Sequence, residues 1–250
     1  MAAHTGYRLL VLLMGLASTG FASAWAYADC VDPAQLARST VRISRYFDDA
    51  ERSARVDLIG IQGTGWFLSA STIVTAAHVT AAMKLSDQDW KPLEIADEKG
   101  SQFIAARIQR LAGDQVERLA VIELQRAVPA AQTVAIRKEP LVPEERVMTL
   151  VYAEGLPHFV GGRFVRNGNE RLAGTVLLEM YEGNNRLVVD HGASGAPVVD
   201  CDGRVAAVIS DVFTQTWEWA SRQIRISTAW GDPNVVSVPV QALEDRPMLH

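Results

Sequence analysis

Apolar positions in this chain come in short runs, rich in β-branched residues and bounded by Gly, Asp, Asn or Pro. Such runs read as strands, because branched side chains suit a pleated surface and the bounding residues favour turns. The pattern predicts strands at 41–43, 56–61, 65–68, 72–75, 119–124, 147–151 and 174–178. Further strands are predicted at 186–189, 197–199, 204–209 and 235–238. Asp202-Gly203 between two of these runs is a hairpin signal. Helical periodicity is scarce; one helix is predicted at 239–244, where Pro239 suits a first turn. The stretch 137–146 is charged, carries Pro140 and Pro143, and reads as a linker. The chain is therefore expected to be all-β. Two six-stranded antiparallel barrels, at about 38–136 and about 147–245, fit, with a C-terminal helix.

Composition removes several alternatives. The chain has 250 residues, 48% hydrophobic and 21% charged, enough to bury a core and unlike a disordered or fibrous chain. The formal net charge is −5 and no basic stripe appears, which argues against a nucleic-acid partner. Only two cysteines are present, Cys30 and Cys201, too few for a four-cysteine zinc site. With five scattered histidines and no carboxylates at ligand spacing, neither metal nor cofactor is expected.

The first 28 residues differ from the rest. Arg8 is their only formal charge; an apolar run from Leu9 to Ala17 follows, then small residues ending in Ala26-Tyr27-Ala28. A charged start, a short apolar middle and an A-x-A exit describe a secretory signal peptide over 1–28, with 29–250 as the mature domain. The apolar run is short for a membrane span, although an uncleaved anchor is the competing reading. Asp29 before Cys30 speaks against lipidation of that cysteine. The mature chain would carry 23 basic and 29 acidic residues, a net −6. Export to the periplasm or beyond would place the cysteines in an oxidising compartment, where a Cys30–Cys201 bridge is expected.

Two motifs carry the chemistry. Gly192-Ala193-Ser194-Gly195-Ala196-Pro197 sets a serine among glycines just before a strand. A serine hydroxyl needs a base to become nucleophilic, and the oxyanion it creates needs backbone N–H donors that glycines help to orient. The second motif is Gly63-Thr64-Gly65-Trp66-Phe67-Leu68, followed by Thr72-Ile73-Val74-Thr75-Ala76-Ala77-His78-Val79. His78 precedes Ser194 by 116 positions, in the other predicted barrel. A cleft between two barrels would bring base and nucleophile together.

Around these motifs the sequence resembles the trypsin-like (chymotrypsin-fold) serine peptidases, especially the secreted bacterial branch that includes the HtrA-type enzymes. The resemblance runs from about residue 38 to 245, through Gly63–Val79, Leu119–Leu124, Gly192–Ile209 and Val235–Leu243. It implies His78 as general base, Ser194 as nucleophile, and the N–H groups of Gly192 and Ser194 as the oxyanion hole. No PDZ-like segment follows, so the resemblance implies a bare protease domain. Peptides or proteins would be the substrates, with no membrane role after signal cleavage. The sequence does not specify an oligomeric state.

The third triad member departs from the family pattern. Where the family resembles Asp-Leu-Ala-Val-Leu, this chain has Arg118-Leu119-Ala120-Val121-Ile122. Three readings stand open: Glu117 takes the role through a bulge, Asp114 reaches in from the loop, or the triad lacks its acid. Ala193 replaces the acid that many relatives carry before the serine, which speaks against a zymogen-type ammonium switch. In the family it resembles, an acid six residues before the serine selects Lys or Arg; Val188 stands there, so the resemblance implies small or apolar substrate side chains, with Asp190 and Asp211 as nearby acids that could change this. His191 adjoins the motif as a loop residue.

Overall fold

Asp32-Pro33 opens the first element. The computed structural model describes residues 30–46, 60–81, 93–111, 119–153, 155–181, 192–212, 215–219, 222–226 and 232–243. Asp32 caps helix α1 (Pro33–Ser39) by accepting a hydrogen bond from the Ala34 N–H at 2.9 Å, and Pro33 sits where no N–H is needed. The strand pattern does not foresee this helix, although its cap is written in those two residues.

The first sheet has seven antiparallel strands: β1 (Thr40–Tyr46), β2 (Gly60–Ser69), β3 (Thr72–Ala76), β4 (Glu94–Ala96), β5 (Gln102–Phe103), β6 (Ala105–Arg110) and β7 (Leu119–Leu124). Their order is β5-β4-β1-β2-β3-β7-β6. Its two edge strands are neighbours in sequence, parted only by Ile104, so the sheet curls back on itself. Ile104 is 58% exposed, and its carbonyl accepts from the Gln125 N–H at 2.9 Å instead of joining the ladder. That break explains a count of seven where six were expected. Val41, Ile43, Phe67, Ile73, Ile95 and Ile122 fill the interior.

The second barrel is closed. It comprises β8 (Arg146–Ala153), β9 (Leu156–Asn167), β10 (Val176–Tyr181), β11 (Pro197–Val199), β12 (Val205–Val212) and β15 (Val235–Pro239), in the order β10-β15-β12-β11-β8-β9. A separate ribbon pairs β13 (Gln215–Trp219) with β14 (Arg222–Ile226). The Asp202-Gly203 turn joins β11 to β12 as expected, with the Gly203 N–H bonded to the Asp200 carbonyl at 3.0 Å. Strand β9 is not foreseen, because Pro157 and Gly161-Gly162 read as breakers. Instead, the missing side chain of Gly162 lets the Glu179 carbonyl come close across the ladder. Pro239 ends β15 rather than starting a helix, and the expected C-terminal helix is one 3₁₀ turn, Val240–Leu243. The strand predicted at 186–189 and residues 56–59 lie outside the described residues.

Residues 137–145 cross to the second barrel around one buried cation. Arg137, 7% exposed, pairs with Glu145 and lies 3.4 Å from Asp200, and it donates to the carbonyls of Glu139 and Pro140. Burial raises the Glu145 pKa, but the bonds from Arg137 and from the Val142 N–H outweigh it and hold the carboxyl below its ordinary value. A carboxylate with a depressed folded-state pKa stabilises the fold above its unfolded pKa, and that contribution is lost as pH falls through the folded value. We therefore expect Glu145→Gln to narrow the difference in thermal midpoint between pH 7 and pH values below about 4.3, the ordinary glutamate pKa. An unchanged pH profile would show that Glu145 is not the linked group.

Between the barrels lies a third cluster. Val31 and Leu36 from the start of the domain meet Trp66 and Val74 of the first sheet, Met148, Tyr152 and Val208 of the second barrel, and Val238 and Val240 near the end. Cys30 and Cys201 are disulfide-bonded beside it, with Cα atoms 5.0 Å apart across 171 positions.

Candidate active site

Ser194 lies on a tight turn. The Ala196 N–H bonds to the Ala193 carbonyl at 3.0 Å, and Gly195 occupies the third position with φ +91°. That value belongs to the left-handed region, which glycine adopts without strain. A Cβ on Gly195 would also collide with the Thr64 carbonyl oxygen and Thr75 Oγ1, so the turn fits only as glycine. Gly192 is buried with φ +103°, and a Cβ there would strike the Tyr152 carbonyl.

The turn is bolted to the first sheet. The Thr64 N–H donates to the Ser194 carbonyl at 2.8 Å, and Thr64 Oγ1 donates to the Gly192 carbonyl at 2.7 Å. Thr64 Oγ1 also accepts from the Tyr152 N–H of β8 at 3.0 Å. Thr75 Oγ1 donates to the Thr64 carbonyl at 2.7 Å. Three residues after Thr75, in the short helix α2 (Ala77–Ala81), comes His78, which is exposed.

Contacts on both sides of His78 place its segment beside the serine. A Cβ on Gly195 would lie 2.9 Å from the Ala76 nitrogen. A Cβ on Gly63 would lie 2.6 Å from Val79 Cγ1 and 3.1 Å from the Ser194 carbonyl oxygen. The segments carrying His78 and Ser194 therefore share one neighbourhood, although they come from different sheets.

Ser194 Oγ is half-buried and donates to the Ser210 carbonyl at 3.2 Å. That carbonyl is accessible because of a bulge: β12 pairs Ile209 with Ser237 and then Asp211 with Val236, skipping Ser210. Asp211 is exposed just beyond it. Glu117, Asp114, Arg118, Val188, Asp190 and His191 lie outside the described residues. Among the described residues no three of His, Cys, Asp or Glu cluster closely enough to hold a metal ion.

The sequence reading does not anticipate Thr64, Tyr152, Thr75 or Ser210. Only Thr64 carries a sequence signal, a hydroxyl between Gly63 and Gly65 just before the apolar run Trp66-Phe67-Leu68. The other three act through backbone groups or through contacts that only the fold creates.

Comparison with known proteins agrees with this geometry. The family model described as trypsin-like peptidase domain matches residues 63–208. The fold resembles the Rv3671c protease of M. tuberculosis in its active form, at 17% identity and a TM-score of 0.55, covering 85% of this chain and 80% of that one. The inactive form of the same protease gives a TM-score of 0.53 at 17% identity, covering 85% and 88%. The serine endoprotease of Yersinia pestis gives 0.57 at 15% identity, covering 88% of this chain and 64% of that one. No curated protein matches the sequence. With more than half of its length matched by that model and both motifs on the expected scaffold, the chain belongs to the trypsin-like peptidase domain family.

Proposed function

We propose that the protein is an exported serine endopeptidase that cleaves peptide bonds through an acyl-enzyme on Ser194. The observation that carries this reading is the docking of the Ser194 turn onto Thr64 of β2 and onto Thr75 and Ala76 of β3, the strand that leads directly into His78. In the proposed reaction His78 takes the Ser194 proton as Oγ attacks the substrate carbonyl. The N–H groups of Gly192 and Ser194 receive the developing oxyanion. His78 then returns the proton to the leaving amine, and water, activated by the same base, releases the acid product. Ser194 Oγ first has to leave the Ser210 carbonyl. For the third member we propose Glu117: Leu119 pairs with Ala76 at the end of β3 that leads into His78, and Glu117, two residues before Leu119, is nearer in the chain than Asp114, five before it. The test is labelling of the mature protein with a fluorophosphonate, followed by peptide mapping. Phosphonylation of Ser194 alone is expected; label elsewhere, or none, would overturn the reading.

A second reading rests on Arg118. A cation where relatives carry the triad acid would disfavour the imidazolium. The protein would then bind peptides in the same cleft with little turnover. Under that reading Arg118→Asp raises hydrolysis of a mixed peptide library, whereas rapid Ser194-dependent turnover by the unmodified protein would rule it out.

A further inference from the structure

We propose that Thr64 is a positioning residue for the oxyanion hole, its hydroxyl fixing the Gly192 backbone from the opposite barrel. The inference rests on the peptidase reading above. A threonine hydroxyl has one proton to donate and lone pairs to accept. Both capacities are used here, toward the Gly192 carbonyl at 2.7 Å and from the Tyr152 N–H at 3.0 Å. The main-chain groups of the same residue are used as well. Its N–H holds the Ser194 carbonyl at 2.8 Å, and its carbonyl is held by Thr75 Oγ1 at 2.7 Å. Thr64 is fully buried, so water does not substitute for these bonds.

The geometry gives this bond a specific task. Gly192 has φ +103°, a conformation in which a backbone without a side chain has several alternatives close in energy. The Gly192–Ala193 peptide carries the carbonyl that Thr64 grips. That peptide plane includes the Gly192 Cα, so with it fixed the direction of the Gly192 N–H is set by the two torsions of Gly192 alone. Release of the carbonyl would free the Gly192 Cα and its two torsions from that anchor and would disperse the donor that has to meet the oxyanion. Since Thr64 is also bonded to Thr75, three residues before His78, it ties the donor loop to the strand that presents the base. Preorganised donors of this kind matter because they need no reorientation as charge develops.

The test compares Thr64→Val, which keeps the shape and removes the hydroxyl, with Thr64→Ser, which keeps the hydroxyl. The readout is the second-order rate constant for fluorophosphonate labelling, corrected for the folded fraction from thermal unfolding, as a function of pH. Thr64→Val is expected to label about 10²–10³-fold more slowly, the loss typical of one oxyanion donor. Thr64→Ser is expected to remain within about 3-fold of the unmodified protein, and the pH midpoint of labelling is expected to stay in place, because the base is untouched. A merely structural threonine would lower the unfolding temperature without changing labelling per folded molecule, and that result would overturn the proposal while leaving the peptidase reading intact. If the unmodified protein does not label at Ser194, the peptidase reading fails and this proposal with it. If Thr64→Val does not fold, Thr75→Val, which frees the Thr64 carbonyl, is read in its place. Slowed labelling then supports the coupling and unchanged labelling overturns it.

Discussion

Replacing Ser194 with alanine, His78 with alanine, or both together is expected to bring peptide hydrolysis to the same floor. Residues that act as one nucleophilic unit are non-additive, and in a complete triad removing either one costs about 10⁶-fold in kcat. The size of the drop also reports on the missing acid. A triad whose acid is changed to a neutral group starts about 10⁴-fold lower, so the same substitutions would then remove only about 10²-fold. A large fall therefore favours a working carboxylate such as Glu117, and a small one favours the Arg118 reading. Losses that multiply in the double variant would show that His78 and Ser194 do not act together.

The disulfide carries the second large effect. Converting Cys30 and Cys201 together to serine leaves no unpaired thiol, so only the cross-link is lost. Closing a loop of 171 positions removes denatured-state freedom worth up to about 5 kcal/mol in the chain-entropy model. For a domain of this size that is a fall of about 10–20 °C in the thermal midpoint. Reductant should bring the unmodified protein to the same midpoint and leave the double variant unchanged. Equal midpoints for both proteins without reductant would mean that the link contributes nothing.

The parts of this molecule differ in how legible they are in its sequence. His78 and Ser194 stand out because the chemistry demands their residue types and because small residues around them permit tight turns. Strands such as β7 and β12 are equally plain, since their apolar faces are buried. Strand β9 hides behind Gly161-Gly162, residues that look like breakers until β10 is seen pressing against them. The edge strands β5 and β6 hide because much of their surface is polar and faces water. Thr64 is hidden for another reason. Its importance lies in partners 88 and 128 positions away, and no local pattern encodes such contacts. Whether Glu117 serves the proposed triad turns on a single-residue offset beside Leu119, and in a strand such an offset decides which face a side chain takes.

The cluster between the barrels has a consequence for the order of folding. It draws on Val31 and Leu36 at one end of the domain and on Val238 and Val240 at the other. Each barrel can fill its own interior from neighbouring strands, but this seam joins the two termini, and contacts of such high sequence separation close slowly. The seam also includes Trp66 and Tyr152, two and zero residues from the Thr64 bonds that seat the Ser194 turn. A chain emerging from synthesis would therefore hold two partly formed barrels before the seam that seats the Ser194 turn is assembled. On the peptidase reading proposed above, competence would arrive only once Val238 and Val240 have joined this seam, late in folding.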